Sequence, residues 1–232
     1  PNLQKRYDVR RALYSFGDMA SYIIRRTADA VNDAIRDGKI DPPSLARSKV
    51  YDRGVSRAFL RDLLADLTAQ RTNDTNLLHQ SLTPGQLVWG NTTIGPRNYM
   101  QFDPLSDPLS LAAITKPTSL SFVETAMLVQ QTVSDLDERP YFGSSTVFVS
   151  YGWHGAIVAE QVESLLDQTD PEDDDYFWID IFAVAQNQST ELEKKNNKND
   201  VYSFESVVKH TKVTLLYWAP YNTPNPIGRV WC

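Results

Sequence analysis

Six residues bring together side chains suited to holding a small ligand: Ser150, Tyr151, Trp153, His154, Asp180 and Trp218. Ser150 and Tyr151 end the apolar run 146–151, and Trp153 and His154 follow it. Asp180 lies near the end of a second run, 176–181, with Asn187 beyond it, and Trp218 and Tyr221 follow a third at 212–217. If the runs are parallel strands, these residues line their carboxyl ends, where open α/β sheets bind ligands. The rings could stack a flat base, and the hydroxyl, imidazole and carboxylate could bind a ribose. A plainer reading stands beside each. Trp153 and Trp178 suit a core, Asp180 between two isoleucines suits a structural bond, and His154 suits a helix entry. No catalytic residue is assigned.

Other chemistries find no residues to carry them. His79, His154 and His210 lie far apart, and with one cysteine, Cys232, they make no zinc site. Neither standard glycine-rich phosphate loop is present, nor is a Gly-x-Ser-x-Gly elbow. The acidic run 170–175 lacks the spacing and glycine of a calcium loop and reads as a solvated connection. No cofactor or metal is expected.

The elements that would position the rim are legible as periodicity. Strand 146–151, helix 156–166, strand 176–181 and strand 212–217, apolar along their length, predict an α/β fold with a parallel sheet covered on both faces. Upstream, Phe16, Met19, Ala20, Ile23, Thr27, Ala30, Val31 and Ala34 predict a helix over 15–37, stopped by Gly38. Phe59, Leu60, Leu63, Leu64 and Leu67 predict a second over 56–70, forming a helical hairpin with the first. Residues 72–116 are rich in turn signals and predict an irregular arm, with Leu87–Trp89 as a short strand and 92–94 returning from it. Ser121 and Glu124 form a capping box for a third helix over 121–136. The segment 191–200 is polar, of low complexity, and reads as an exposed loop. The expected organisation is a helical hairpin region (1–71), an irregular arm (72–117), a connecting helix (118–140) and an α/β domain (141–232) cut short at its C-terminus.

The net charge is −6 over 232 residues, and the pI is about 5.1. That argues against a general nucleic-acid binder, which needs a basic face. The first seventy residues are basic on balance, while 124–175 carry almost only acidic charges, Arg139 excepted. Such asymmetry lets the two parts dock on each other, although opposite surface bias is the plainer reading. No run approaches the roughly 20 apolar residues of a membrane span. No signal-peptide pattern opens the chain, and no internal disulfide is possible. An intracellular, cytoplasmic setting is expected.

Thr146–Tyr151 with Gly152-Trp153, then 178–182, then His210–Leu216, then Arg229-Val-Trp-Cys232, resembles the TIR-like (Toll/interleukin-1 receptor-like) domains of protists and algae over residues 145–232. Those domains carry Phe-Val-Ser-His-x-Trp, Trp-Ile-Asp and Arg-x-Trp-Cys. Tyr151 stands where they have His. The resemblance implies a flavodoxin-like fold, here partial, and self-association. It also implies one of two roles: a signalling adaptor, or an enzyme that cleaves NAD with a glutamate in a Trp-x-x-x-Glu pattern. Trp231 fits that Trp, so the glutamate would fall just past Cys232; Glu160, Glu163 and Glu205 are not equivalent. The expected function is a protein–protein interaction or scaffold module in a larger assembly, its partners being proteins such as other TIR-like domains. The alternatives are a NAD-cleaving hydrolase, for which NAD is substrate, and a purely structural component of a complex.

Overall fold

The computed structural model describes residues 23–40, 46–69, 83–89, 110–133, 139–153, 158–170 and 174–217. The three expected strands are present as β3 (Val147–Ser150), β4 (Tyr176–Trp178) and β5 (Val213–Leu216). β3 lies between the other two and is parallel to both, with Val147 opposite Phe177 on one side and Val213 on the other. Alternate β3 side chains go to opposite faces, as the period of two requires. Val147 and Val149 enter one apolar cluster, while Phe148 stacks on Trp178 in a second with Phe204 and Val207.

Two further strands make the sheet mixed rather than parallel. β1 (Gly54–Ser56) pairs antiparallel with β4 and with β2 (Phe142–Gly143), giving the order β2-β1-β4-β3-β5. Strands of three and two residues carry no readable periodicity. Glycine is required where they meet. A Cβ on Gly54 would come 2.8 Å from the Tyr176 Cβ, and one on Gly143 would come 2.8 Å from the Tyr176 ring. β4 ends at Trp178, shorter than expected, because Asp180 opens α7 (Asp180–Ala183). The expectation that all three parallel strands are buried fails at β5. Val213 is 49% and Leu216 52% exposed at the edge of the sheet.

The described part of the first predicted helix is α1 (Ile23–Arg36). Its end is a left-handed turn at Gly38 (φ 66°), where Gly38 N–H bonds to Ile35 O and Lys39 N–H to Ala34 O. α1 lies on α2 (Arg57–Ala69), which packs in turn on α6 (Val158–Gln168). Arg57 holds the far end of α6 by donating to the Leu166 and Thr169 carbonyls. Leu60 of α2 and Phe177 of β4 share one core, so the expected boundary near residue 140 runs through that core.

Two expectations for polar segments are corrected. Leu87–Trp89 is the end of α3 (Pro84–Trp89), not a strand. Thr83 and Gln86 cap each other's backbone N–H, and proline suits the first helical position. Of the arm, the structure describes only this helix and α4 (Leu111–Thr115) with its flanks; residues 92–94 lie outside. The predicted loop 191–200 is α8 (Glu191–Tyr202), started by a Thr190–Glu193 capping box, and it leads into α9 (Phe204–His210). α5 (Phe122–Leu128) has the expected Ser121–Glu124 box but ends at Leu128, more than two turns before the expected 136.

The helical segments meet the sheet through a buried ion network. Glu124 of α5 and Asp200 of α8 each contact both Arg47 and Arg53, at 2.7 to 3.2 Å. The side chains of Arg53, Glu124 and Asp200 are at most 4% exposed. Burial pushes the Glu124 carboxyl up, but the Arg47 bond, both guanidinium charges and the Ser121 N–H outweigh it and hold the group below its ordinary 4.5. A depressed folded-state value contributes stability that is present above pH 4.5 and lost as pH falls through the lower value. Glu124→Gln should therefore cost about 3–5 kcal/mol at neutral pH and flatten the acid limb of the urea-denaturation profile. An unchanged acid limb would count against this account.

Candidate functional site

At the carboxyl end of β3 the chain turns through Tyr151 into Trp153. One strand over, Ile179 is still extended (φ −126°, ψ 120°) and delivers Asp180 to the first turn of α7. These two turns bring three of the predicted rim residues together. The Tyr151 hydroxyl donates to Asp180 Oδ1, and the Trp153 indole N–H donates to Oδ2 at 2.9 Å. The Gln186 amide donates to the Asp180 carbonyl at 3.0 Å, closing the loop behind α7. Tyr151 and Asp180 are buried.

Ser150 is buried at the last β3 position, where its carbonyl accepts from Tyr217 N–H at 2.9 Å. His154, Trp218 and Tyr221 lie outside the described residues. Asn187 is not on the rim. Its amide donates to Ala112 O and to Thr115 Oγ1, both at 3.0 Å, tying α4 to the segment after α7. Trp178 is a core residue whose indole donates to Val50 O, as its plainer reading anticipates.

The polar atoms of this rim point inward. Asp180 accepts from two neighbouring rings, so its carboxylate locks the β3 and β4 turns to each other. Beside the lock lies a cavity of about 20 Å³, lined by Tyr151, Val158, Gln161, Val162, Ile179 and Tyr217. That is room for one water. Gln161 Nε2 reaches no hydrogen-bond partner among the described residues. Burial, and then the nearby Glu160 charge, raise the Tyr217 phenol above its ordinary 10.0. The Tyr151 and Trp153 donors are spent on Asp180, which leaves the Gln161 amide to orient a polar group in the cavity.

Three clusters escaped sequence reasoning because their members are distant in the chain. One is the ion network. Another lies before β3, at the opposite end of the sheet. Ser144 Oγ stands 2.9 Å from both Asp52 Oδ1 and His210 Nε2, and His210 stacks on Tyr51 at 4.3 Å. The hydroxyl sits between carboxylate and imidazole and gives its proton to Asp52, which is not the order of a nucleophilic triad. The third is the buried pair Asp62 and Asp66 on α2. An i, i+4 carboxylate pair flanked by leucines was the one signal available for it. Among the described residues no three His, Cys, Asp or Glu side chains could hold a metal ion, and no helix is long and apolar enough to cross a membrane.

No family model, curated protein or solved structure matches this chain.

Two substitutions test this description. Asp180→Ala strands the Tyr151 and Trp153 donors and should cost about 2–5 kcal/mol, with a shift in tryptophan emission. A cost under 1 kcal/mol would mean the lock holds nothing. Gln161→Leu removes an unpaired buried donor and should raise the urea midpoint, by about 1–3 kcal/mol in stability. A lower midpoint would show that the amide is satisfied in solution.

Proposed function

We propose that the chain is a protein–protein interaction module of the TIR-like kind, acting as adaptor or scaffold in a larger intracellular assembly. The order β4-β3-β5 supports the flavodoxin-like part of that reading. In such sheets the first strand of the parallel set lies between the second and the third. The antiparallel β1 and β2 extend the sheet beyond that plan.

The observation that carries the proposal is the half-exposed apolar edge strand β5, with Val208 (44%) and Tyr202 (74%) exposed on the preceding helices. Among the described residues β5 pairs with β3 alone. An open edge of this kind is a template for another strand. The occupant we assign is a second copy of the chain. In an antiparallel two-fold pairing the Lys212 end of one β5 meets the Tyr217 end of the other, where Glu160 stands. Opposite charges then face each other at both ends of the joint.

Sedimentation at rising protein concentration should show reversible dimerisation, abolished by Leu216→Lys together with Val213→Lys while circular dichroism stays unchanged. A chain monomeric at every concentration would overturn the proposal. Release of nicotinamide from NAD would favour the hydrolase alternative instead.

A further inference from the structure

Asp66 has no part in the rim or the edge strand. It lies in α2 with its side chain buried at 4% exposure, and one turn earlier Asp62 is equally buried. The two carboxyls are treated differently by their neighbours. Asp62 accepts from the Tyr141 hydroxyl at 2.6 Å and from Arg61 Nε at 3.1 Å, so both its oxygens are engaged. Asp66 Oδ2 accepts from the backbone N–H of Ile24 at 3.2 Å, while its Oδ1 reaches no partner among the described residues. The bond to Ile24 crosses between helices. It caps the first described turn of α1, whose buried stripe of Ile23, Ile24, Thr27, Ala28 and Val31 lies along α2.

We propose that the seating of α1 on α2 is a proton-controlled contact, in which Asp66 caps α1 as the neutral acid and loss of its proton loosens the helix. A buried carboxylate needs several donors or a close cation. Asp66 has the Ile24 N–H at its Oδ2 with a weaker pull from the Ile23 N–H, no partner for Oδ1 among the described residues, and the Asp62 charge one turn away. The charged groups facing it are Asp62 on its own helix and Arg26 on α1. Tyr141 and Arg61 are turned to Asp62, and Glu124 of α5 is committed to Arg47 and Arg53. α4, which also flanks α1, carries no titratable side chain.

The electrostatics agree in sign. Burial, together with the Asp62 charge and against the pull of Ile24, Ile23 and Arg26, raises the carboxyl from its ordinary 3.8 to about 8. When α1 lifts away the group is hydrated and reverts to the ordinary value. Between those limits the undocked form binds fewer protons than the docked one, so docking weakens as pH rises. The opening equilibrium rises about tenfold per pH unit across that window and levels off above it. Opening uncovers the apolar stripe of α1 and the seam on α2 beneath it.

Amide hydrogen exchange of the full chain, corrected for intrinsic rates, tests this. From pH 5 to 8 the protection of α1 should fall about tenfold per unit while the amides of β3 hold theirs. Asp66→Asn, a neutral isostere, should make α1 protection independent of pH. Parallel pH dependence in wild type and variant, or none in wild type, would overturn the proposal. Should the variant not fold, the Asp66 side-chain carbon can be followed by NMR in the wild-type chain. A midpoint near 8 supports the proposal, and one below 5 overturns it.

Discussion

Two buried carboxylates shared between a buried arginine and a partly exposed one tie the helical segments to the sheet. Arg47 and Arg53 lie in the segment leading to β1, Glu124 in α5 and Asp200 in α8, and each carboxylate is shared between both guanidinium groups. The four charges cancel, but only while all four are in place. Removing one strands a charge where water cannot reach it, at a cost of several kcal/mol. The network also holds backbone. Asp200 accepts from Ala185 N–H, Arg53 donates to Ala183 O and Ser48 O, and Glu124 accepts from the Ser48 and Ser121 N–H groups. The turn after α7, the entry to β1 and the start of α5 are thereby fixed relative to one another. The helical N-terminal half and the sheet therefore cannot be separated without breaking ion pairs.

The rim inherits its geometry from that anchoring. Asp180 begins the short helix whose last carbonyl, that of Ala183, is gripped by Arg53. Behind the sheet, Trp178 bonds to Val50 O and packs edge-on against Phe204, so β4 is held on that face too. On the other face Phe59 of α2 touches Phe122, Tyr141, Phe142 and Phe182. With both faces of the central strands filled, the β3 and β4 turns have little freedom. Tyr151 and Trp153 close on Asp180 in one arrangement.

The molecule divides its polar and apolar groups in an unusual sense. Carboxylates lie inside, at Asp62, Asp66, Glu124, Asp180, Glu193 and Asp200, while the apolar strand β5 lies half outside. Each inward carboxylate except Asp66 leaves no buried oxygen without a donor, which is the condition for burying it. An outward apolar edge meets no such condition unless a further surface covers it. The interaction reading rests on that contrast.

Elements built on apolar repetition were legible in the chain itself. The three parallel strands, the stripes of α1 and α2, and the box that starts α5 follow from local rules: side-chain period, capping and the conformational freedom of Gly38. Of the six candidate rim residues, Tyr151, Trp153 and Asp180 meet as strand ends in a parallel sheet must. α8 was hidden because the face it buries is polar: Glu193, Asn196 and Asp200 replace the expected leucines. The Thr190–Glu193 box was a local signal for its start, but nothing local marks the stripe as buried, since the partners of Asp200, Arg47 and Arg53, are about 150 residues away. β1 and β2 were hidden because a strand of two or three residues exists only through its neighbours. The sequence by itself settled which segments carry an apolar period, but not where β4 and α5 stop. Only the tertiary structure decided which charges are buried, since burying a carboxylate depends on donors that distant parts of the chain supply.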